Sequence, residues 1–199
     1  MKFLYILLVA MLSTTLVLGP TACNNPTQAQ ITAVVQNIAN WTPALTNDAA
    51  VLGGDIAAFD PADSVLIQKS VAQLQSDSSF LTTLCNQYLA NPSPTVLAQI
   101  AATVSDAVTI DSSALIAALQ IKDATSQLIA QGVLATIATA LTILSTYLAS
   151  VKVSVTPAAQ TALKNIAPYV NKATLSSELD KAKAQNLIPA NITLQAFGY

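Results

Sequence analysis

Residues 31–59 read ITAVVQNIANWTPALTNDAAVLGGDIAAF. Ile31, Val35, Ile38, Thr42, Leu45, Ala49, Leu52, Ile56 and Phe59 recur at alternating steps of four and three. That is the period of one face of an α-helix, and only Thr42 breaks its apolar character. Pro43 lies inside the run. Proline lacks an amide hydrogen and its ring clashes with the preceding turn, so a kink or restart is expected near Trp41-Thr42, with Thr42 placed to cap the second half. Gly53-Gly54 should weaken the last turns.

The same spacing recurs downstream. Asp60-Pro61-Ala62-Asp63 is a helix start: Asp60 can accept from an orphan amide, Pro61 suits the first helical position, and Asp63 favours the dipole. Ile67, Val71, Leu74, Ser78, Leu81, Cys85 and Tyr88 follow at steps of four and three, ending at Asn91-Pro92-Ser93-Pro94. Ser93-Pro94 opens a third helix through Leu97, Ala101, Val104 and Val108, extended by Leu115 and Leu119 past a soft point at Ile110-Asp111. Asp123 opens a fourth, and Ala124 to Val151 carries no charge. Thr156-Pro157 starts another, with Leu163, Ile166 and Val170, which Pro168 interrupts. A short amphipathic piece, 177–185, precedes an irregular or strand-like tail. Long helices joined by short turns imply antiparallel neighbours. The expected fold is all-α, an up-down antiparallel bundle of four to five long helices, filling residues 31–185, with 186–199 as a C-terminal tail.

Composition removes several chemistries. There is no His and the chain contains no Arg, so a Ser-His-Asp or Cys-His site is impossible, as is an Arg fork for phosphate. Two Cys cannot build a structural zinc site. Only 9% of residues are charged, against about 25% in typical soluble domains, so the surface must be largely Ser, Thr, Gln and Asn. From Cys23 onward seven Lys face ten acids, a net of −3, which argues against nucleic acid. The charge is uneven: Cys23 to Asp111 holds seven Asp and one Lys (−6), and Ser112 to Tyr199 holds six Lys, two Asp and one Glu (+3). Two halves packed side by side would neutralise each other. A basic end facing anionic lipid is the alternative.

The first 23 residues carry an address. Lys2 precedes an uncharged apolar run from Phe3 to Leu18, shorter than the roughly 20 apolar residues a spanning helix needs. Gly19-Pro20 breaks the helix, and Thr21-Ala22-Cys23 follows. This segment resembles the lipobox of bacterial lipoprotein precursors, with Pro20 where that pattern usually has Leu. The resemblance covers only this segment. It implies a signal peptide over 1–22, Cys23 as the lipidated first residue of the mature chain, and a polar tether over 23–30. Cleavage after Ala29 with soluble secretion, or an uncleaved anchor, are the competing readings.

Each remaining candidate site has a plainer reading beside it. Asp55, Asp60 and Asp63 could offer oxygens to calcium, but their spacing matches no EF-hand loop, and turn and capping roles are preferred. Cys85 could be reactive or pair with Cys23, but it sits on an apolar stripe, where a buried inert thiol is the usual outcome. The uncharged fourth segment is long enough to cross a bilayer, yet its Ser, Thr and Gln favour a central bundle helix. Asn40-Trp41-Thr42 and Asn191-Ile192-Thr193 match a glycosylation tripeptide that is frequent by chance. Lys181 and Lys183 with Glu178 and Asp180 form a mixed-charge, solvated helix face.

The expected function is therefore a structural or protein-interaction role at the bacterial envelope. The anchor would be the membrane partner through Cys23, and a second envelope protein or another copy would be the protein partner. The alternatives are a carrier of an apolar ligand such as lipid, and a membrane-inserting protein using 126–151. No catalytic, metal or cofactor-binding residue is expected, and an enzyme is the least favoured class.

Overall fold

The computed structural model describes residues 25–59, 64–118 and 124–188. Every regular element among them is helical. Four long helices come first: α1 (Gln28–Phe59), α2 (Ser64–Ala90), α3 (Pro94–Ala118) and α4 (Ala124–Ser150). Then come α5 (Pro157–Ile166), a 3₁₀ turn (Ala167–Tyr169) and α6 (Lys172–Ala184).

The long helices form a ring in chain order. α1 packs on α2 and α4, and α3 packs on α2 and α4. Only Asn91–Ser93 separates α2 from α3, which forces them antiparallel. At the same end, the first residue of α1 reaches the last turns of α2, where Gln28 Nε2 donates to the Tyr88 hydroxyl at 2.9 Å. Just before α1, Asn25 meets Lys152 beyond α4. The expected up-down bundle is the observed one.

α4 is its central helix. It touches α1 and α3 within the ring and also α5, the 3₁₀ turn and α6 outside it. Every residue from Ile137 to Leu148 is consequently buried, with no polar face left over. The hydroxyls of this buried stretch bond within the helix. Thr139 donates to Ala135 O at 2.6 Å, and Thr142 to Ala138 O, Ser145 to Leu141 O and Thr146 to Thr142 O, each at 2.8 Å. Each of these hydroxyls is satisfied by its own helix, one turn back.

Two of these hydroxyl devices also carry the C-terminal helices. Ser105 of α3 donates to Ala101 O at 2.7 Å and accepts the backbone N–H of Thr156 at 3.1 Å. Thr156 is the cap of α5, accepting from Ala159 N, with Pro157 at the first position as expected. In the same way Thr139 accepts the N–H of Asn171 at 2.8 Å, and Asn171 caps α6 by accepting from Thr174 N at 3.1 Å. The amide of each cap residue thus ends on a hydroxyl of the bundle.

Several expectations need correction. α1 does not restart at Pro43. Thr42 is buried and donates to Ile38 O at 2.8 Å, so it caps nothing. Packing on α2 and α4 carries the helix past the missing amide. Gly53 also has a packing role: a Cβ there would lie 3.0 Å from Val71 Cγ1, so its absence lets α1 and α2 approach closely. The last residues of the segment expected as a tether, from Gln28 on, are the first turn of α1. Thr27 and Gln30 form a reciprocal capping box, with Gln30 N donating to Thr27 Oγ1 at 3.2 Å and Thr27 N to Gln30 Oε1 at 2.8 Å. As expected, α3 continues past Ile110-Asp111, to Ala118. α6 begins at Lys172, earlier than the expected 177. The tail after 185 starts packed, since Leu187 and Ile188 are buried. Asp60, Pro61, Ala62, Asp63, Leu119, Asp123 and residues 189–199 lie outside the described residues.

Candidate functional site

Three groups of chemistry-bearing residues stand out, at different heights in the bundle.

The first is at mid-height between α2 and α3. Gln73 Nε2 donates to Asp77 Oδ1 at 2.9 Å, while Asp77 Oδ2 is buried without a hydrogen-bond partner. The Ser78 hydroxyl, on the core stripe, is also buried and unpartnered. Partial burial pushes the Asp77 carboxyl above the usual range, the Gln73 bond opposes this, and the Asp106 carboxylate on α3 adds to it. The folded chain therefore holds this proton more tightly than the unfolded chain. The Asp77 contribution to stability is fully present below the ordinary carboxylate value and is lost as pH rises through the raised one. Asp77→Asn should raise the melting temperature at about pH 7. The gain should be below about 1 kcal/mol, because the carboxyl is largely screened by solvent. It should vanish at about pH 3.5, under the ordinary carboxylate value. Thermal unfolding of both proteins at the two pH values checks this, and an equal melting temperature at neutral pH refutes it.

The second is Cys85. It is fully buried, and burial pushes its thiol up to about 12, so almost no thiolate exists near neutral pH. It is the free cysteine among the described residues and behaves as a core side chain.

The third lies where the chain enters the bundle. The α4 terminus there is a Schellman motif: Val153 N donates to Leu148 O and Lys152 N to Ala149 O, both at 3.0 Å. The residue that must turn left-handed is Lys152, with φ 60°, where glycine is the usual occupant. A residue with a Cβ is thus held in a conformation worth about 1 kcal/mol of strain. Its ammonium donates to Asn25 Oδ1 at 3.1 Å, which ties the entering segment to the end of α4. α6 closes with the same motif, using Asn186 at φ 55° with Leu187 N on Ala182 O at 2.9 Å. Two of the three lysines of α6 form ion pairs within that helix, Lys181 with Glu178 and Lys183 with Asp180.

Of the residues singled out from sequence, Cys23 and the Asp60 and Asp63 carboxylates lie outside the described residues. Among the described residues no group of three or more His, Cys, Asp or Glu could hold a metal. Of the two glycosylation tripeptides, Asn40 is exposed but Thr42 is buried, and the other lies in 189–199. The link between Lys152 and Asn25 has no sequence signal, since it joins residues far apart through a lysine in a glycine role. No protein-family model matches this chain, and no curated protein and no solved structure matches it.

Proposed function

We propose that this is an exported, lipid-anchored helical-bundle protein of the bacterial envelope, with a structural or protein-interaction role. The observation that carries the reading is the pinned entry of the chain. Thr27 caps α1, Gln28 holds Tyr88, and Asn25 holds Lys152. A lipid on Cys23 would then be attached at one end of the bundle through a tether only a few residues long. At 1.5 Å per residue, α1 rises about 48 Å from that end. Its far half and the start of α2 expose Val51 and Val65, at 48% and 73%, well away from the anchor.

Cleavage after Ala29 is disfavoured on the same grounds. It would remove both halves of the bond pair that starts α1 and the Gln28 contact to α2. Use of α4 as a membrane span is disfavoured by magnitude. Residues 131–150 have a mean hydropathy of 1.7, enough for a candidate span. However, their seven aliphatic residues (Val133, Leu134, Ile137, Leu141, Ile143, Leu144 and Leu148) contribute only about 2–4 kcal/mol on an insertion scale. Opening a bundle around its central helix costs about 5–15 kcal/mol.

Intact-mass measurement of the natively produced protein tests the proposal. A mature chain starting at acylated Cys23 is expected, with the acyl mass lost in Cys23→Ser. An unmodified chain starting at Gln30 would replace the anchor with soluble secretion. In-cell cross-linking that recovers an envelope protein or a second copy supports the interaction role, and a chain that stays monomeric without a partner counts against it.

A further inference from the structure

Each of the five helices before α6 packs on at least two others, while α6 rests on α4. Its inner stripe is narrow. Of its thirteen residues three are buried, Leu175, Leu179 and Ala182, at steps of four and three. Leu187 and Ile188, just past its closing turn, are buried too and complete the apolar hold. The polar hold is the N–H of Asn171 on the Thr139 hydroxyl at 2.8 Å. The two ion pairs of α6 lie within the helix and add nothing to its grip on the bundle. The connection to the rest of the chain is a bend: Val170 and Asn171 are both extended, between the 3₁₀ turn and the first residue of α6. Rotation at these two residues moves α6 while its own helical hydrogen bonds stay formed.

Beneath α6 lies a face of α4 that the ring does not use. Thr139 sits under its cap. Tyr147 sits near Glu178, whose carboxylate adds to the effect of burial in raising the phenol. Ile143 is one helical turn from each, on the same face, and is buried. Ile137, Leu141, Leu144 and Leu148, at steps of four and three, mark a different side of α4 and are also buried. The stripe that seats α4 in the ring is therefore distinct from the face that α6 covers, and removing α6 leaves that stripe in place.

We propose that α6 is a hinged cover over the central helix. It opens as a unit about Val170 and Asn171 from a bundle that stays folded, and in opening it uncovers Thr139, Ile143 and Tyr147. The closed molecule holds this face in reserve, and a minor open state presents it, because a unit with so few buried side chains opens at lower free energy than the ring. The device does not depend on the reading of Cys23 as a lipid attachment.

The test places a thiol on each side of the contact, by Ala182→Cys in α6 and Ile143→Cys in α4. Cys85, fully buried in the ring, is the reference within the same molecule and corrects for any loss of global stability in a variant. The full chain is labelled with iodoacetamide over a range of urea below the unfolding midpoint and read site by site by peptide mass spectrometry, each rate being divided by that of the same thiol in unfolded chain. Both new thiols should react at least about a hundred-fold faster than Cys85 and almost independently of urea, since a local opening exposes little surface, whereas Cys85 waits for the ring to open. In the unsubstituted chain, amide exchange should be faster across 172–184 than across 139–147, because α4 stays helical while α6 is open. If both new thiols follow the rate and urea dependence of Cys85, α6 opens only with the whole molecule and the proposal is overturned. If the thiol in α6 reacts fast but the one in α4 follows Cys85, α6 frays without uncovering α4, which overturns it equally.

Discussion

Leu141→Ala should cost about 3–5 kcal/mol, while Leu128→Ala on the same helix should cost almost nothing. Leu141 is fully buried between the ring and the C-terminal helices, and Leu128 is 73% exposed. Truncating a leucine loses the transfer free energy of its methyl and methylene groups and leaves a cavity. A fully buried site on a helix that the ring and the C-terminal helices pack against has little room to collapse. Against a typical stability of about 5–15 kcal/mol, that loss is a large fraction of the whole. Urea unfolding measures it as a fall in midpoint at unchanged slope. Were α4 to work facing lipid, both leucines would meet the same apolar solvent and the contrast between them would fade. Equal costs at the two positions would therefore remove α4 from the centre of the bundle.

The contrast also shows what the sequence carries. Steps of four and three mark one face of each long helix, and the faces so marked in α1, α2 and α3 are the buried ones: Val35, Ile38 and Leu45, then Leu74, Leu81, Cys85 and Tyr88, then Leu97, Ala101, Val104 and Val108. Proline steps at Ser93-Pro94 and Thr156-Pro157 place two helix starts correctly, because they act within one turn. Errors occur where tertiary packing outweighs a local rule. Pro43 breaks an isolated helix, but a helix clasped along its length loses one hydrogen bond and continues. Ala140 and Thr142 lie off the apolar stripe of α4 and are buried all the same, since α5, the 3₁₀ turn and α6 cover faces that the ring leaves open. The capping box at Thr27-Gln28-Ala29-Gln30 was readable as a Thr-x-x-Gln pattern and moves the start of α1 earlier. Lys152 was not readable, because nothing local requires a left-handed lysine. As for function, an absent His and a sparse charge set exclude chemistries from composition alone, whereas the link between Asn25 and Lys152 exists only once the chain is folded.

Thr139→Val should cost about 1–2 kcal/mol and act mainly on α6. The substitution keeps the shape of the side chain and removes its oxygen. The bond from Thr139 to Ala135 O is local, and its loss is nearly neutral. The second bond is different: the hydroxyl accepts the N–H of Asn171, which in turn caps α6 through Thr174 N. Without that acceptor α6 is held to the bundle by apolar contact, through buried side chains such as Leu175, Leu179 and Ala182. Amide hydrogen exchange should therefore accelerate more across Lys172–Ala184 than across α1 or α2, as expected when a peripheral unit opens by itself. Thr139→Ser separates the two contributions. It keeps the acceptor and loses a buried methyl, so it should lower global stability by about 0.8 kcal/mol while leaving α6 coupled to the bundle. If valine and serine change exchange in α6 equally, the methyl matters and the hydroxyl does not, and the two C-terminal helices are held by apolar contact alone. If only valine uncouples α6, a single oxygen on the central helix decides whether α6 stays docked on the bundle.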